Sequence, residues 1–159
     1  MDEAKKVISL LTERGKTLAT AESCTGGLVG AMLTEVPGAS KVYLGGIISY
    51  AYEVKERFLD VDRHLLEEKG AICSEVAVQM AQGARERFCA DYALSVTGNA
   101  GPGTDPMNPN VGEIYIACAG ENVCLVHRLM LLGNREENRI MSCRKSLELL
   151  LRCCAGENK

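Results

Sequence analysis

Three adjacent side chains that can act as nucleophiles, Ser23, Cys24 and Thr25, stand directly before Gly26-Gly27. The segment 21–27 follows a short strand-like run and opens a helical pattern. Small residues at such a junction let backbone N–H groups approach an anion or a carbonyl oxygen, helped by the positive end of the helix. A plainer reading is also open, in which Ser23 or Thr25 only caps the helix. A nucleophilic hydroxyl needs a base. The chain has two histidines, His64 in a charged helix start and His127 in a strand-like run, and neither adjoins a Gly-rich turn. Both read as structural. A lysine desolvated enough to be neutral near pH 7 is the other choice. Lys55 is the best placed, in the first turn of the helix after the run ending in Ser49-Tyr50. A cation there opposes the helix dipole, which lowers its pKa. A solvated surface lysine is the alternative.

A second loop, Thr97-Gly98-Asn99-Ala100-Gly101-Pro102-Gly103, follows another apolar run. Consecutive small residues can form a nest of N–H groups, and loops at the C-terminal edge of an α/β sheet are where ligands bind. Arg135 and Arg139 are spaced i, i+4, share a helix face and could clamp a phosphate. Two other motifs fail. Gly15-Lys16-Thr17 would end a P-loop, but the first glycine of that motif is replaced by Leu10. Gly101-Pro102-Gly103 is followed by Asp105-Pro106 where a dinucleotide-binding turn would open a helix. The eight cysteines contain no C-x-x-C pair, and Cys124 and His127 would point to opposite faces of a strand, so buried reduced thiols are expected rather than a metal site.

Elements that position these residues can be read from the pattern. The spacing predicts helices over 3–14, 25–36, 52–59, 64–69, 74–88 (with Ser74 as cap) and 134–154, the last with a stripe of Ile140, Cys143, Leu147, Leu150 or Leu151, and Cys154. Strands are predicted over 16–21, 42–50 and 92–97, the last two buried, with a hairpin of 111–119 and 123–132 after a loop at 98–110. Helix-linked strands plus one hairpin imply an α/β fold, a three-layer α/β/α sandwich with a mixed, mostly parallel sheet. The 159 residues suit a single domain spanning 1–159.

Composition narrows the function classes. With 47% hydrophobic and 25% charged residues, the chain is neither disordered nor fibrous. No apolar run approaches the roughly 18 residues of a membrane span, and the acidic start is unlike a secretory signal. A cytoplasmic protein with no membrane partner is expected. A net charge of −3, no basic stripe and no Trp argue against nucleic acid as a partner.

Together the segments 21–27, Ser49-Tyr50 with Lys55, Thr97-Gly98 with Ala100-Gly101-Pro102, Val111-Gly112, and Gly133 with Arg135 resemble the C-terminal domain family of the competence-damage-inducible CinA proteins, a domain that also occurs alone as nicotinamide mononucleotide deamidase. The resemblance spans nearly the whole chain, which has no room for the further N-terminal domain of the larger CinA proteins. It implies an α/β/α sandwich that hydrolyses the amide of nicotinamide mononucleotide to nicotinate mononucleotide and ammonia, a small-molecule nucleotide as partner, a homo-oligomer, and no metal or organic cofactor. On matching positions it implies Ser23 as nucleophile, Lys55 as its base and Tyr50 assisting. It further implies that Thr25, Gly26, Gly27, Thr97, Gly98, Ala100 and Gly101 hold the ligand and that Arg135, with Arg139, binds phosphate. The chain departs from the family pattern at Tyr52 (usually Asn), at Asn99 (usually apolar), at Pro109-Asn110 (usually Lys-Pro) and at Asn134 (usually Asp). These departures leave a second expectation, a CinA-like nucleotide-binding domain that is non-catalytic or takes another ligand.

Overall fold

The computed structural model describes residues 2–157. In chain order these form α1 Asp2–Arg14, β1 Leu18–Glu22, α2 Leu28–Thr34, a 3₁₀ turn Ala39–Lys41, β2 Tyr43–Ile48, α3 Tyr52–Leu59, α4 Arg63–Lys69, α5 Ser74–Phe88, β3 Tyr92–Gly98, β4 Glu113–Ala119, β5 Cys124–Met130 and α6 Arg135–Glu157. The strands make one sheet of order β2-β1-β3-β4-β5. β1 pairs in parallel with both β2 and β3, while β3–β4 and β4–β5 are antiparallel. Only β4 therefore runs against the others. Parallel neighbours need a crossover connection, and the helices between β1 and β2 and between β2 and β3 provide it. The β4–β5 pair needs only a tight turn, closed by a Gly120 N–H bond to the Val123 carbonyl at 2.8 Å.

The sheet is covered on both faces. Leu11 of α1, Val29 and Leu33 of α2, and Leu147 and Leu150 of α6 pack with Leu18, Leu94 and Ile114. On the other face, Leu59, Val76 and Met80 pack against Ala19, Ala21 and Ala93. The two-residue period of β1 decides this division: its alanines face α5, and Leu18, Thr20 and Glu22 face the opposite layer. Alanines let α5 lie close. Gly83 does the same toward α3, since a Cβ there would stand 2.0 Å from the Leu59 carbonyl oxygen.

Several expected boundaries move. The helix expected at 25–36 begins only at Leu28, because Gly26 and Gly27 adopt left-handed φ of 58° and 104° and turn the chain first. The strand expected to be buried at 42–50 is a sheet edge with Leu44 and Ile48 exposed. An apolar run does not say how many neighbours a strand has. Ser74 does not cap α5; it lies inside the helix and its hydroxyl bonds Glu75. Ile140 falls outside the buried stripe of α6, which is formed by Cys143, Leu147, Leu150 and Cys154. Asn134 instead starts α6 with a reciprocal capping box: its side chain accepts from Glu137 N–H at 2.9 Å, and Glu137 accepts from Asn134 N–H at 3.2 Å. Five of the eight cysteines are buried as small core residues. No helix among the described residues is long and apolar enough to cross a membrane.

Candidate active site

Ser23 is the first residue beyond β1. Its N–H bonds the Val96 carbonyl of β3 at 3.0 Å, and its own carbonyl accepts from Gly26 N–H at 3.0 Å. The hydroxyl is thus carried on a turn tied to the middle of the sheet. Neither Ser23 nor Thr25 caps α2. That work falls to Glu22, which is 2% exposed. One carboxylate oxygen accepts from Thr25 Oγ1 (2.7 Å), Gly27 N–H (3.1 Å) and Val29 N–H (2.9 Å); the other accepts from Gly30 N–H at 3.1 Å. A buried carboxylate needs such donors, and the positive helix end adds to them. The N–H groups of Gly27, Val29 and Gly30 at the head of α2 thus face Glu22. Its signal in the sequence was a lone acid at the end of an otherwise uncharged strand, within a turn of a helix start.

Glu22→Gln is expected to destabilise the fold by about 1–3 kcal/mol, because one face of the amide would present N–H groups to N–H donors in a buried site. Urea unfolding should register this as an earlier midpoint, and an unchanged midpoint would contradict the role given to Glu22.

From α6, Arg139 reaches the same turn. Its Nε bonds the Cys24 carbonyl at 3.1 Å and an Nη bonds the Thr25 carbonyl at 3.0 Å. One turn earlier, Arg135 bonds the Gly101 carbonyl at 2.9 Å, and the buried Asn138 donates to the Ala100 carbonyl at 3.0 Å. A single helix therefore holds both loops in place. The i, i+4 spacing of the arginines predicted a shared face; that Asn138 belongs to this brace gave no sign in the sequence.

Lys55, the fourth residue of α3, is fully buried. Its Nζ lies 2.9 Å from Ser23 Oγ, 2.5 Å from the Ser49 carbonyl oxygen and 3.2 Å from the Tyr50 carbonyl oxygen. Burial lowers its pKa to about 8. The cause differs from the one expected: removal from water is the largest effect, as in other buried lysines. Two carbonyls occupy two N–H bonds of a neutral amine. Its lone pair is then left for the proton of Ser23. Cys24, beside Ser23, is pushed up to about 11 by burial and stays a thiol at neutral pH.

Ser23 opens into a cavity of about 330 Å³ that is also lined by Tyr50, Gly98, Ala100, Asp105 and Arg135. Such a volume lies at the small end of ligand sites, about 300–1,000 Å³. Of the residues expected to surround a ligand, Thr25, Gly26, Gly27, Thr97, Gly101 and Arg139 do not line it. Thr97 is buried and ties β3 to the Ala71 carbonyl at 2.9 Å. Tyr50 contributes its carbonyl to Lys55, while its ring stands 64% exposed at the cavity. Gly98 must be glycine: a Cβ would lie 2.6 Å from the Glu113 carbonyl oxygen of β4.

Asn99 knits the 98–112 loop together. Its amide donates to the Asn108 and Asn110 carbonyls at 2.9 and 3.1 Å, and its oxygen accepts from Asp105 N–H at 2.8 Å. Asp105 in turn accepts from the Tyr52 hydroxyl at 2.5 Å, and that hydroxyl accepts from Ala71 N–H at 3.2 Å. Burial and this carboxylate push the Tyr52 phenol up to about 12, so it remains a donor. The departures at Tyr52, Asn99 and Asn110 are thus one hydrogen-bonded network, of which Asn99 lines the cavity. Neither histidine lines the cavity. No group of three His, Cys, Asp or Glu side chains suited to a metal occurs among the described residues.

The profile of the CinA C-terminal domain matches residues 2–154. A CinA-like protein of Geotalea uraniireducens is 49% identical over 136 residues, covering 86% of this chain and 32% of that protein. A putative competence-damage inducible protein of Halothermothrix orenii is 43% identical over 144 residues, covering 90% and 35%. The chain thus spans about a third of the length of these curated relatives. Among solved structures, the competence/damage inducible protein CihA from Agrobacterium tumefaciens superposes with a TM-score of 0.92 at 36% identity, covering 96% of this chain and 93% of that one.

Proposed function

The chain belongs to the CinA C-terminal domain family, and on that premise we propose that it is a serine amidohydrolase that converts nicotinamide mononucleotide to nicotinate mononucleotide and ammonia. The observation that carries this reading is the buried Lys55 Nζ at 2.9 Å from Ser23 Oγ, with Ser23 lining an open cavity. Neutral Lys55 takes the Ser23 proton as Oγ attacks the carboxamide carbon. The oxyanion needs nearby donors; Gly98 and Ala100 line the same cavity, while the Asn99 N–H is taken by the Glu113 carbonyl. Lys55 then gives its proton to the departing ammonia, leaving a serine ester. Water, deprotonated by Lys55, attacks the ester; the acid leaves and Ser23 recovers its proton.

The test is ammonia release from nicotinamide mononucleotide, with free nicotinamide and asparagine as controls. Release from the nucleotide alone supports the reading, and no release from a folded protein rejects it. A nucleotide-binding domain without turnover is the second reading. What favours it is the altered loop network, in which Tyr52 and Asn99 are committed to holding the 98–112 loop. Saturable nucleotide binding with no ammonia would establish it.

Arg135 uses one of its N–H groups on Gly101 and has others left for a phosphate. Arg135→Ala should weaken nicotinamide mononucleotide by about ten- to a hundred-fold, as expected for a hydrogen bond to a charged group. The dephosphorylated riboside should change little. Equal losses for both ligands would make Arg135 a brace of the Gly101 loop only.

A further inference from the structure

The cavity holds opposite charges on its walls. Arg135, bonded to the Gly101 carbonyl, and Asp105, on the 98–112 loop, both line it together with Ser23. Asp105 is built into place. Its two carboxylate oxygens accept from Tyr52 hydroxyl and Met107 N–H, at 2.5 and 3.0 Å, and its backbone N–H is held by Asn99. Both donors, one phenolic hydroxyl and one backbone N–H, are neutral, so they orient the carboxylate without cancelling its charge. Lys55 cancels it only while protonated, and the base must be neutral to act. At that stage Arg135, held at the Gly101 carbonyl and assigned above to the phosphate, is the cation left among the described residues that line the cavity, so the Asp105 carboxylate is available to the rest of the ligand. A neutral amide has no use for it. A ring bearing a fixed positive charge does, and the substrate named above has a quaternised pyridinium nitrogen two bonds from the carbon that carries its amide, and a phosphate at its far end.

We propose that Asp105, held by Tyr52, is the specificity residue that selects a cationic, oxidised pyridinium ring over neutral aromatic or dihydropyridine amides. This rests on the amidohydrolase reading and names the charge class of its substrate. An anion facing a cation in a partly desolvated pocket is strengthened by the low local dielectric. A preference of about tenfold or more is therefore expected.

The test uses the full chain with Ser23→Ala, so that binding is measured without turnover. Calorimetry at pH 8 compares nicotinamide mononucleotide with its 1,4-dihydro form, which keeps the phosphate and the amide but has an uncharged ring. The oxidised form should bind about tenfold more tightly or better. Adding Asp105→Asn, which preserves shape and can still accept from Met107, should shrink that ratio to within about threefold, by weakening the oxidised form. Tyr52→Phe, which leaves the carboxylate but unfastens it, should narrow the ratio part of the way. If the ratio survives Asp105→Asn intact while the oxidised form still binds, the proposal fails and the amidohydrolase reading stands. If neither form binds and the parent protein releases no ammonia, both fail together.

Discussion

Ser23→Ala is expected to abolish ammonia release, by about 10⁴-fold or more, in a protein that folds like the parent. The magnitude follows from losing the atom that bonds to the acyl carbon, since variants lacking the nucleophile keep only binding and electrostatic contributions. The fold should survive because Ser23's structural bonds are made by its backbone, to Val96 and Gly26. The substitution only removes Oγ, leaving a methyl at Cβ, and Lys55 retains the Ser49 and Tyr50 carbonyls. Cys24→Ala should keep much of its activity, because the thiol is held protonated and buried. The measurement is ammonia release under saturating substrate, with circular dichroism to verify folding. Full turnover by Ser23→Ala would end the covalent reading, and loss confined to Cys24→Ala would move the nucleophile by one residue.

Lys55 carries the second large effect. With its pKa near 8, the fraction of neutral amine falls about tenfold for each pH unit below that value. The quantity kcat/KM should follow it and level off above pH 8. Lys55→Met should be nearly inactive at every pH. Lys55→Arg should be inactive as well, because a guanidinium stays protonated, but a larger side chain in a fully buried position also threatens the fold. Lys55→Met is therefore the decisive variant. A rate that stays flat from pH 6 to 9 in the parent, or substantial turnover by a folded Lys55→Met, would leave Lys55 without a role as base.

The same group links stability to pH. An unfolded lysine binds its proton up to about 10.5, and the folded one releases it near 8. Between those values the unfolded state holds more protons, so stability rises with pH. The contribution is complete above 10.5 and is lost as pH falls through 8. It amounts to on the order of 3 kcal/mol over the window. Comparing urea unfolding of the parent and Lys55→Met at pH 7.5 and 9.5 should show the parent gaining on the variant at the higher pH.

The expected elements and the observed ones agree most closely where periodicity is long. α1, α5 and the β4–β5 hairpin lie within a few residues of their predicted spans. Agreement is poorest at the turn after β1, where two glycines with positive φ delay the helix. β2 shows a different gap. Its apolar run is present, but an edge and an interior strand differ in neighbours rather than in composition, and neighbours are set by the crossover path.

For the site, the sequence by itself determined which residue types were on hand: a hydroxyl at a strand-to-helix turn, a lysine after the next strand, a glycine loop and a pair of helical arginines. Their family resemblance also set the expected chemistry. Only the tertiary structure decided what each one does. Lys55, 32 residues along the chain from Ser23, becomes a low-pKa amine because α3 buries it against the Ser49 and Tyr50 carbonyls. Loss of water, and not the helix position that suggested it, is the largest influence. The head of α2 is taken by Glu22, and Arg139 faces carbonyls of the Ser23 turn. Charge, solvation and hydrogen-bond satisfaction depend on what surrounds a group in space. A linear chain records the group and its neighbours along the backbone, and the water-excluding contacts that tune it arise only when the sheet brings β1, β2 and β3 side by side.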